Sequence, residues 1–290
     1  MFKGSMVALV TPFRGKRVDE KALGELVEFH VTNGTSALVP CGTTGESATL
    51  SYEEHDRVIE LTIQYAKGRI PVIAGTGANS TEEAIMLTKH AKKAGANASL
   101  QVSPYYNRPT QKGLYLHFKA IAEAVDIPII LYNIASRTGV NIEPETFAKL
   151  AEIGNIIGVK EASGSLEQMA RIRSVTPKDF LLISGDDALT LPVMSIGGVG
   201  VISVVANIIP RDVADMCSAF EAGEIKKARQ LHYKMLTLVK AMFIETNPIP
   251  VKTAMGLMKM INPALRLPMC DMEPANKEKL TKEMKAYGIL

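Results

Sequence analysis

A lysine closes one of the apolar segments of this sequence, Ile156-Ile157-Gly158-Val159-Lys160. β-Branched residues bounded by glycines predict a buried strand on which alternate residues share a face, so Ile156, Gly158 and Lys160 would lie together. Burial disfavours an ammonium ion, and the neutral amine is the nucleophile that forms a Schiff base with a carbonyl compound. The alternative is a lysine just past the strand that reaches into solvent.

Two adjacent threonines lie between glycines in Gly42-Thr43-Thr44-Gly45-Glu46, which follows another apolar run and leads towards a helix. The backbone N–H groups of such a turn could converge on a small carboxylate or phosphate. The alternative is an ordinary strand-to-helix turn capped by hydroxyls. The neighbouring Cys41 has no histidine outside the predicted helices to activate it, so we expect a buried, inert thiol.

A phenol and a guanidinium follow a third apolar run, at Tyr132 and Arg137. A tyrosine facing inward there can transfer protons if its pKa is lowered or if a hydroxyl such as that of Thr43 relays the proton. Arg137 offers a planar fork for two hydrogen bonds to a carboxylate. Taken singly, a core aromatic residue and a surface salt bridge are the alternatives for these two positions.

Other loops add less specific signals. The aromatic, proline-stiffened segment Pro104–Pro109 could cover a pocket or enter a neighbouring subunit, and Gly185-Asp186-Asp187 follows a further apolar run. No metal, dinucleotide or Walker motif is present, and nothing pairs two carboxylates as a glycosidase requires. We therefore expect no metal and no cofactor. The histidines fall in predicted helices without metal-ligand spacing: His30, His55, His90, His117 and His232.

Eight apolar runs alternate with amphipathic stretches. They predict strands at 6–10, 37–40, 71–74, 98–102, 128–132, 156–160, 180–184 and 200–204. Helix start signals lie at Asp19, Ser51 with Glu54, Ser80 with Glu83, and Ser165 with Gln168; helix stop signals lie at Gly34, Gly68, Gly95 and Gly154. Strand-helix units repeated at about 25 to 35 residues predict a (β/α)8 TIM barrel, with an open Rossmann-type sheet as the alternative.

The active site of such a barrel lies at the carboxyl ends of its strands. Lys160, the two threonines and Tyr132 all occupy or directly follow predicted strand ends, so we expect them to converge. We assign residues 1–222 to the catalytic barrel and residues 223–290 to a C-terminal helical appendage, because helical periodicity continues after the eighth strand.

Composition limits the partners. The chain has 290 residues, 47% of them hydrophobic, and a formal net charge of +3. Scattered basic residues favour neither a nucleic acid nor an anionic membrane as partner. The apolar run near the N-terminus is too short for a membrane span or a signal peptide, and three cysteines without a CxxC pair fit a reducing compartment. We therefore expect a cytoplasmic protein.

Together these motifs resemble the dihydrodipicolinate synthase family, pyruvate-dependent class I aldolase-type lyases of the N-acetylneuraminate lyase superfamily. The resemblance runs from Met1 to the last helix, and the combination of motifs is more specific than any one of them. The matching segments are Gly42–Glu46, Pro104–Pro109, Tyr132-Asn133, Ser136–Gly139, Gly158–Glu161, Ser184–Asp187 and Asn247–Lys252.

The resemblance implies a role for each matched residue. Lys160 would form the imine with pyruvate, whose carboxylate Thr44 and the adjacent backbone would hold. Tyr132, Thr43 and Tyr106 would relay protons, with Tyr106 donated by a partner subunit.

Three more positions complete the implied substrate site. Arg137 would bind the carboxylate of L-aspartate 4-semialdehyde, and Ile202 and Gly185 would line the pyruvate site. One departure is visible: Ala135 stands where the family usually has proline. We expect this to loosen the loop that carries Arg137 without affecting imine formation.

The resemblance further implies a homotetramer built as a dimer of dimers, inhibited in some members by lysine bound at the dimer interface. Tyr52 replaces a usual histidine, but six residues match the lysine-sensitive pattern: Ser47, Ala48, His55, Asn79, Glu83 and Tyr105. We therefore expect inhibition by L-lysine.

The implied reaction condenses pyruvate with L-aspartate 4-semialdehyde, the first committed step of lysine and diaminopimelate biosynthesis. A sister aldolase acting on a sugar-derived 2-keto acid is the first alternative, which Arg137 and the second threonine disfavour. A non-catalytic barrel that binds a metabolite or a protein is the second, which the intact Lys160, Tyr132 and Thr43 set disfavours.

Overall fold

A computed structural model describes residues 2–290. Eight parallel strands follow one another around a ring, and the last pairs with the first from Gly4 opposite Gly200 to Val7 opposite Ser203. The bridge between Leu38 and Val72 joins the second and third strands. The strands are β1 Gly4–Ala8, β2 Ala37–Val39, β3 Ile73–Gly75, β4 Ala98–Val102, β5 Ile129–Asn133, β6 Ile156–Glu161, β7 Leu181–Ser184 and β8 Gly200–Ser203.

Helices cover the outside of this ring and form the end of the chain, so the predicted TIM barrel with additional C-terminal helices is confirmed. The barrel helices are α1 Glu20–Thr32, α2 Tyr52–Ala66, α3 Thr81–Ala94, α4 Gln111–Ala124, α5 Ala135–Thr138, α6 Pro144–Leu150, α7 Leu166–Val175, α8 Thr190–Ser195 and α9 Pro210–Glu221. The C-terminal helices are α10 Ile225–Ala241, α11 Ile249–Leu257 and α12 Pro274–Tyr287.

The C-terminal helices pack on the barrel rather than apart from it. Val7 of β1 and Leu26 of α1 belong to the same buried hydrophobic cluster as Leu238, Met255 and Met284. The boundary at residues 222 and 223 stays a prediction. Within residues 2–290, no helix combines the length and the apolar character that crossing a membrane requires.

Most of the predicted helix start and stop residues lie at the ends of helices. Asp19 accepts a hydrogen bond from the Ala22 N–H, the Ser51–Glu54 capping box forms, and Gly95 ends α3 with φ 97°. The Ser80–Glu83 box was wrong: the Ser80 side chain caps nothing, and Glu83 interacts with the phenol of Tyr52 instead. Gly154 was also wrong as a left-handed stop, since α6 ends earlier, at Leu150 with a right-handed Ala151.

A bulge in β6 changes which residues face the barrel interior. The pairing of β5 with β6 shifts register so that Ile157 is an extra residue. Ile156 therefore packs in the outer cluster, Ile157 packs against the inner one, and the prediction that Ile156 shares a face with Lys160 was wrong. Beyond the bulge Lys160 is opposite Tyr132, which belongs to the inner cluster. Apolar side chains fill the interior, which leaves the polar groups at the carboxyl ends of the strands.

Candidate active site

Lys160 and Tyr132 meet at the carboxyl end of the barrel. They are register partners on β6 and β5, and Lys160 Nζ lies 4.2 Å from the centroid of the Tyr132 ring. Each residue is only 6% exposed. The alternative of a solvent-exposed lysine was therefore wrong.

The surroundings of Lys160 increase the fraction of molecules that hold a neutral amine. Burial lowers the pKa of Lys160 to about 8; the Asp187 carboxylate opposes this shift and the Arg137 guanidinium adds to it. At pH 7 about one tenth of the molecules would then hold a free amine, against far fewer for an ordinary lysine. Gly185 contacts the same side chain, because a Cβ there would lie 3.2 Å from Lys160 Cε and 2.7 Å from Ala162 Cβ. Any larger residue would displace the lysine or the backbone beside it.

The Tyr132 phenol is protonated near neutral pH. Burial raises the pKa of Tyr132 to about 12, and Arg137 and the Thr43 hydroxyl only partly oppose this rise. The three residues line one cleft of about 630 Å³ at the carboxyl ends of the strands. A protonated phenol beside a hydroxyl can donate a proton first and recover it through the hydroxyl, so the predicted grouping of Tyr132 with Thr43 is present.

A tight turn fixes the threonine loop. The Gly45 and Glu46 N–H groups donate to the carbonyls of Gly42 and Thr43, at 3.1 Å each. Thr44 is buried, and its hydroxyl accepts a hydrogen bond of 3.0 Å from the Asn247 side chain.

Asn247 connects this loop to Arg137 and was not assigned a role from the sequence. Arg137 Nη2 donates to the Asn247 carbonyl at 3.2 Å, while Asn247 Nδ2 donates to Thr44. One residue thus ties together the two groups expected to bind carboxylates. In the sequence, Asn247 was marked only as the first residue of the matching segment Asn247–Lys252, and that position suggested no particular chemistry.

Asp187 was also missed as a single residue, since the sequence marked only the run Gly185-Asp186-Asp187. Its buried carboxylate accepts hydrogen bonds from Ser203 Oγ at 2.5 Å, the Val204 N–H at 2.9 Å and the Val205 N–H at 3.2 Å. These donors follow Ile202, which is 1% exposed on β8. Asp187 therefore supplies negative charge near Lys160 and fixes the end of β8.

Glu161, next to the lysine, has a structural role. Its carboxylate accepts from Asn133 Nδ2 at 2.8 Å and from the Ser163 N–H at 2.7 Å, and burial raises its pKa. These bonds join the ends of β5 and β6. They fix the two strand ends from which Tyr132 and Lys160 project.

Tyr106 is the one predicted relay residue that lies outside the cleft lining. It is 91% exposed, with φ 73°, within the loop after β4. The loop is attached to the start of α3, because Asn107 Nδ2 donates to the Asn79 carbonyl at 2.8 Å and Asn79 Nδ2 donates to the Tyr105 carbonyl at 3.2 Å. In the single chain this anchored loop exposes two adjacent aromatic side chains, Tyr105 at 39% and Tyr106 at 91%.

The residues matched to lysine sensitivity lie mainly in the same cleft as Tyr132, Thr43 and Arg137. Asn79 does not line it; it holds the Tyr105 carbonyl. Five of the six line it together with Tyr52: Ser47, Ala48, His55, Glu83 and Tyr105.

The Cys41 thiol is placed as expected. Cys41 is buried, and its burial raises the pKa of the thiol. Among residues 2–290 no group of three or more His, Cys, Asp and Glu side chains is arranged to hold a metal ion.

The chain is similar over nearly its whole length to proteins of one family. The model of the Dihydrodipicolinate synthetase family matches residues 1–287. The protein named 4-hydroxy-tetrahydrodipicolinate synthase from Syntrophus aciditrophicus is 60% identical over 290 residues, with all of both chains covered. The crystal structure of dihydrodipicolinate synthase from Aquifex aeolicus has a TM-score of 0.98 at 52% identity and covers 99% of each chain.

Two further solved structures contain small molecules. The chloride-inhibited dihydrodipicolinate synthase from Acinetobacter baumannii, complexed with pyruvate, has a TM-score of 0.98 at 46% identity over 100% of each chain. The enzyme from Cyanidioschyzon merolae with lysine bound has a TM-score of 0.96 at 45% identity, covering 100% of this chain and 99% of that one. With a family model matched over nearly its whole length and relatives this similar from end to end, this chain belongs to the dihydrodipicolinate synthetase family.

Proposed function

We propose that this chain is a lyase that condenses pyruvate with L-aspartate 4-semialdehyde to 4-hydroxy-tetrahydrodipicolinate, in lysine and diaminopimelate biosynthesis. The observation that carries the proposal is the buried Lys160 amine, 4.2 Å from the centroid of the Tyr132 ring at the mouth of the barrel. Family membership indicates the two substrates, and the geometry indicates that the Lys160 amine would react with pyruvate.

The reaction begins at Lys160. Its neutral amine adds to the C2 carbonyl of pyruvate, and loss of water gives a protonated imine. Thr44, with the adjacent backbone, holds the pyruvate carboxylate, while Gly185 and Ile202 border the same space. The positive imine nitrogen withdraws electrons from C2, so the methyl group at C3 becomes acidic.

The hydroxyl groups around the imine carry out the proton transfers. Tyr132 donates a proton to the departing oxygen of the carbinolamine, and Thr43 relays protons to and from the phenol. The phenolate left on Tyr132 then takes a proton from C3, which converts the imine into an enamine and restores the phenol. Tyr106, contributed by a partner subunit, extends the relay to solvent, which accounts for its exposure in the single chain.

The second substrate then enters against Arg137. The guanidinium binds the carboxylate of L-aspartate 4-semialdehyde and places its aldehyde near the enamine carbon. The new C–C bond forms, the aldehyde oxygen becomes a hydroxyl, and the imine is restored. The amine of the second substrate attacks C2, displaces Lys160 and closes the ring.

We further propose a homotetramer assembled as a dimer of dimers, located in the cytoplasm and inhibited by L-lysine. The exposed Tyr106 on an anchored loop supports the first point, because a subunit alone would lack the relay residue. The cleft lined by Tyr132, Glu83 and Tyr105 supports the last, since a ligand bound beside Glu83 and Tyr105 would share that cleft with Tyr132.

Borohydride reduction in the presence of pyruvate tests the central step, because it would fix the imine as an added mass on Lys160. We expect the wild type to be labelled there and to turn over pyruvate with aspartate semialdehyde, and Lys160→Arg to do neither. Turnover that survives this substitution would refute the mechanism. Turnover only with sugar-derived aldehydes would favour the sister aldolase, and absence of labelling in the wild type would favour a non-catalytic barrel.

A further inference from the structure

A fully buried ion pair lies directly beneath the threonine loop and takes no part in the chemistry above. Lys252 Nζ and Glu46 Oε1 are 2.5 Å apart, and their side chains are 0% and 2% exposed. Lys252 also donates to the Thr11 carbonyl at 3.0 Å and lies 4.2 Å from the centroid of the Phe13 ring. The pair joins helix α11 of the C-terminal region to the loop after β2.

Such a pair is an inefficient way to gain stability. Removing two charges from water is expensive, and apolar residues of similar size often stabilise a fold equally well or better. A buried pair does restrict geometry, because the charges tolerate little displacement from each other. The residues next to the ion pair in the chain therefore indicate which part of the structure the pair holds in place.

Glu46 is the residue at which the threonine turn ends. Its φ is 54°, in the left-handed region that a residue with a side chain adopts only when its surroundings hold it there. Its N–H donates to the Thr43 carbonyl, so the turn closes on the residue that the ion pair fixes. Displacement of Glu46 would displace Thr43 and Thr44 with it.

Arg266 holds Glu46 from a second direction. Its backbone N–H donates to the other carboxylate oxygen of Glu46 at 3.1 Å. Its guanidinium forms two bonds of 2.6 Å to Glu54 and one of 2.8 Å to the Thr49 carbonyl. The segment from Glu46 to Glu54 is therefore tied at both ends by residues far along the chain.

We propose that the buried Glu46–Lys252 pair, supported by Arg266, is a positioning device through which the C-terminal region sets the geometry of Thr43 and Thr44. The inference rests on the proposed function for the roles of the two threonines. Lys252 acts on the reaction only through Glu46, and Arg266 acts through Glu46 and the segment that follows it. The C-terminal helices are accordingly part of the active-site construction.

The test removes both charges together. The double substitution Glu46→Gln with Lys252→Met keeps the side-chain lengths and leaves no unpaired charge in the interior. The matched control is Glu20→Gln with Arg57→Met, which removes an exposed two-point ion pair between α1 and α2. Thermal unfolding, amide hydrogen exchange over residues 42–47, and kinetics for each substrate are measured on both variants and on the wild type.

We expect the double variant to fold, to exchange the amides of 42–47 at least about tenfold faster, and to lose up to about 10²-fold in kcat/KM for pyruvate, as a displacement near 1 Å can produce. The KM for aspartate semialdehyde should change much less, because Asn247 still holds Arg137. The control pair should leave all three readouts unchanged. Unchanged exchange in a folded double variant would overturn the proposal, whether or not activity fell.

Two further measurements distinguish failure of this proposal from failure of the proposed function. If the double variant does not fold, Lys252→Arg, which keeps both charges but changes the length and shape of the buried cation, should give the same changes at smaller size, and its failure to do so would overturn the proposal. If the wild type shows no turnover and no imine, the proposed function fails, while the exchange of residues 42–47 still decides whether the pair holds the loop.

Discussion

Tyr132 and Lys160 are register partners on adjacent parallel strands, and the nitrogen of the lysine lies over the face of the phenol ring. The π face attracts a cation, whereas burial disfavours one. Burial prevails for the free amine, whose pKa falls to about 8. The protonated imine that replaces it carries a positive charge at the same position, and it keeps the favourable contact with the ring.

The pH dependence of pyruvate capture follows from that pKa. Because only the neutral amine adds to the ketone, kcat/KM for pyruvate should rise about tenfold per pH unit below pH 8 and level off above it. Asp187→Asn removes a charge that raises the pKa of Lys160, so its plateau should begin at lower pH. Arg137→Gln removes a charge that lowers it, so its plateau should begin at higher pH. Shifts in the same direction for both variants would contradict this electrostatic account.

Lys160 should also reduce the stability of the fold. Its pKa is lowered from 10.5 to about 8, a difference equivalent to roughly 3 kcal/mol at pH 7. Between these values the unfolded chain binds more protons than the folded one, so wild-type stability rises with pH across this interval. Lys160→Met should therefore unfold at higher urea concentration than the wild type at pH 7, with the difference shrinking by pH 10. A variant of lower stability, or a constant difference, would disagree.

Tyr132→Phe should slow imine formation without abolishing it. The ring that contacts Lys160 remains, so borohydride should still fix pyruvate on Lys160, but at a lower rate. The proton donor is lost, and kcat should fall by about 10² to 10⁴. Thr43→Val should act on the same step, so combining the two should cost far less than the product of the single effects. Independent, multiplicative losses would show that Thr43 and Tyr132 do not share one relay.

Much of this arrangement was predictable because local patterns determine it. Eight apolar runs separated by amphipathic stretches indicated the barrel, and the rule that barrel sites lie at strand ends placed Lys160, Tyr132 and Thr43 together. The resemblance added roles that spacing alone left open. The strand-end rule was sufficient to place Lys160 beside Tyr132, because the two residues lie near the ends of adjacent strands.

The predictions that were wrong depend on contacts between distant parts of the chain, which a local sequence pattern does not reveal. Alternation along β6 cannot reveal the bulge at Ile157, which depends on pairing with β5. The Ser80 box failed because Glu83 interacts with Tyr52 from another helix. The residues that hold the threonine loop are equally remote: Asn247 bonds to Thr44 across 203 positions, and Lys252 bonds to Glu46 across 206.

Inhibition by L-lysine is the prediction that depends most on Glu83 and Tyr52 in the cleft lining. Glu83 and Tyr52 line it together, and the Glu83 charge raises the pKa of the Tyr52 phenol, so the carboxylate is already close to a polar partner. An ammonium group entering there would find that negative charge, and we expect inhibition at about 1 mM L-lysine, a range that corresponds to about −4 kcal/mol of binding. Glu83→Gln should weaken inhibition about tenfold or more while leaving uninhibited turnover intact. Glu82→Gln, which changes an exposed neighbour on the same turn of α3 outside the cleft lining, serves as the control. Rates that stay constant in millimolar L-lysine, or equal sensitivity in the two variants, would remove Glu83 as the recognition group.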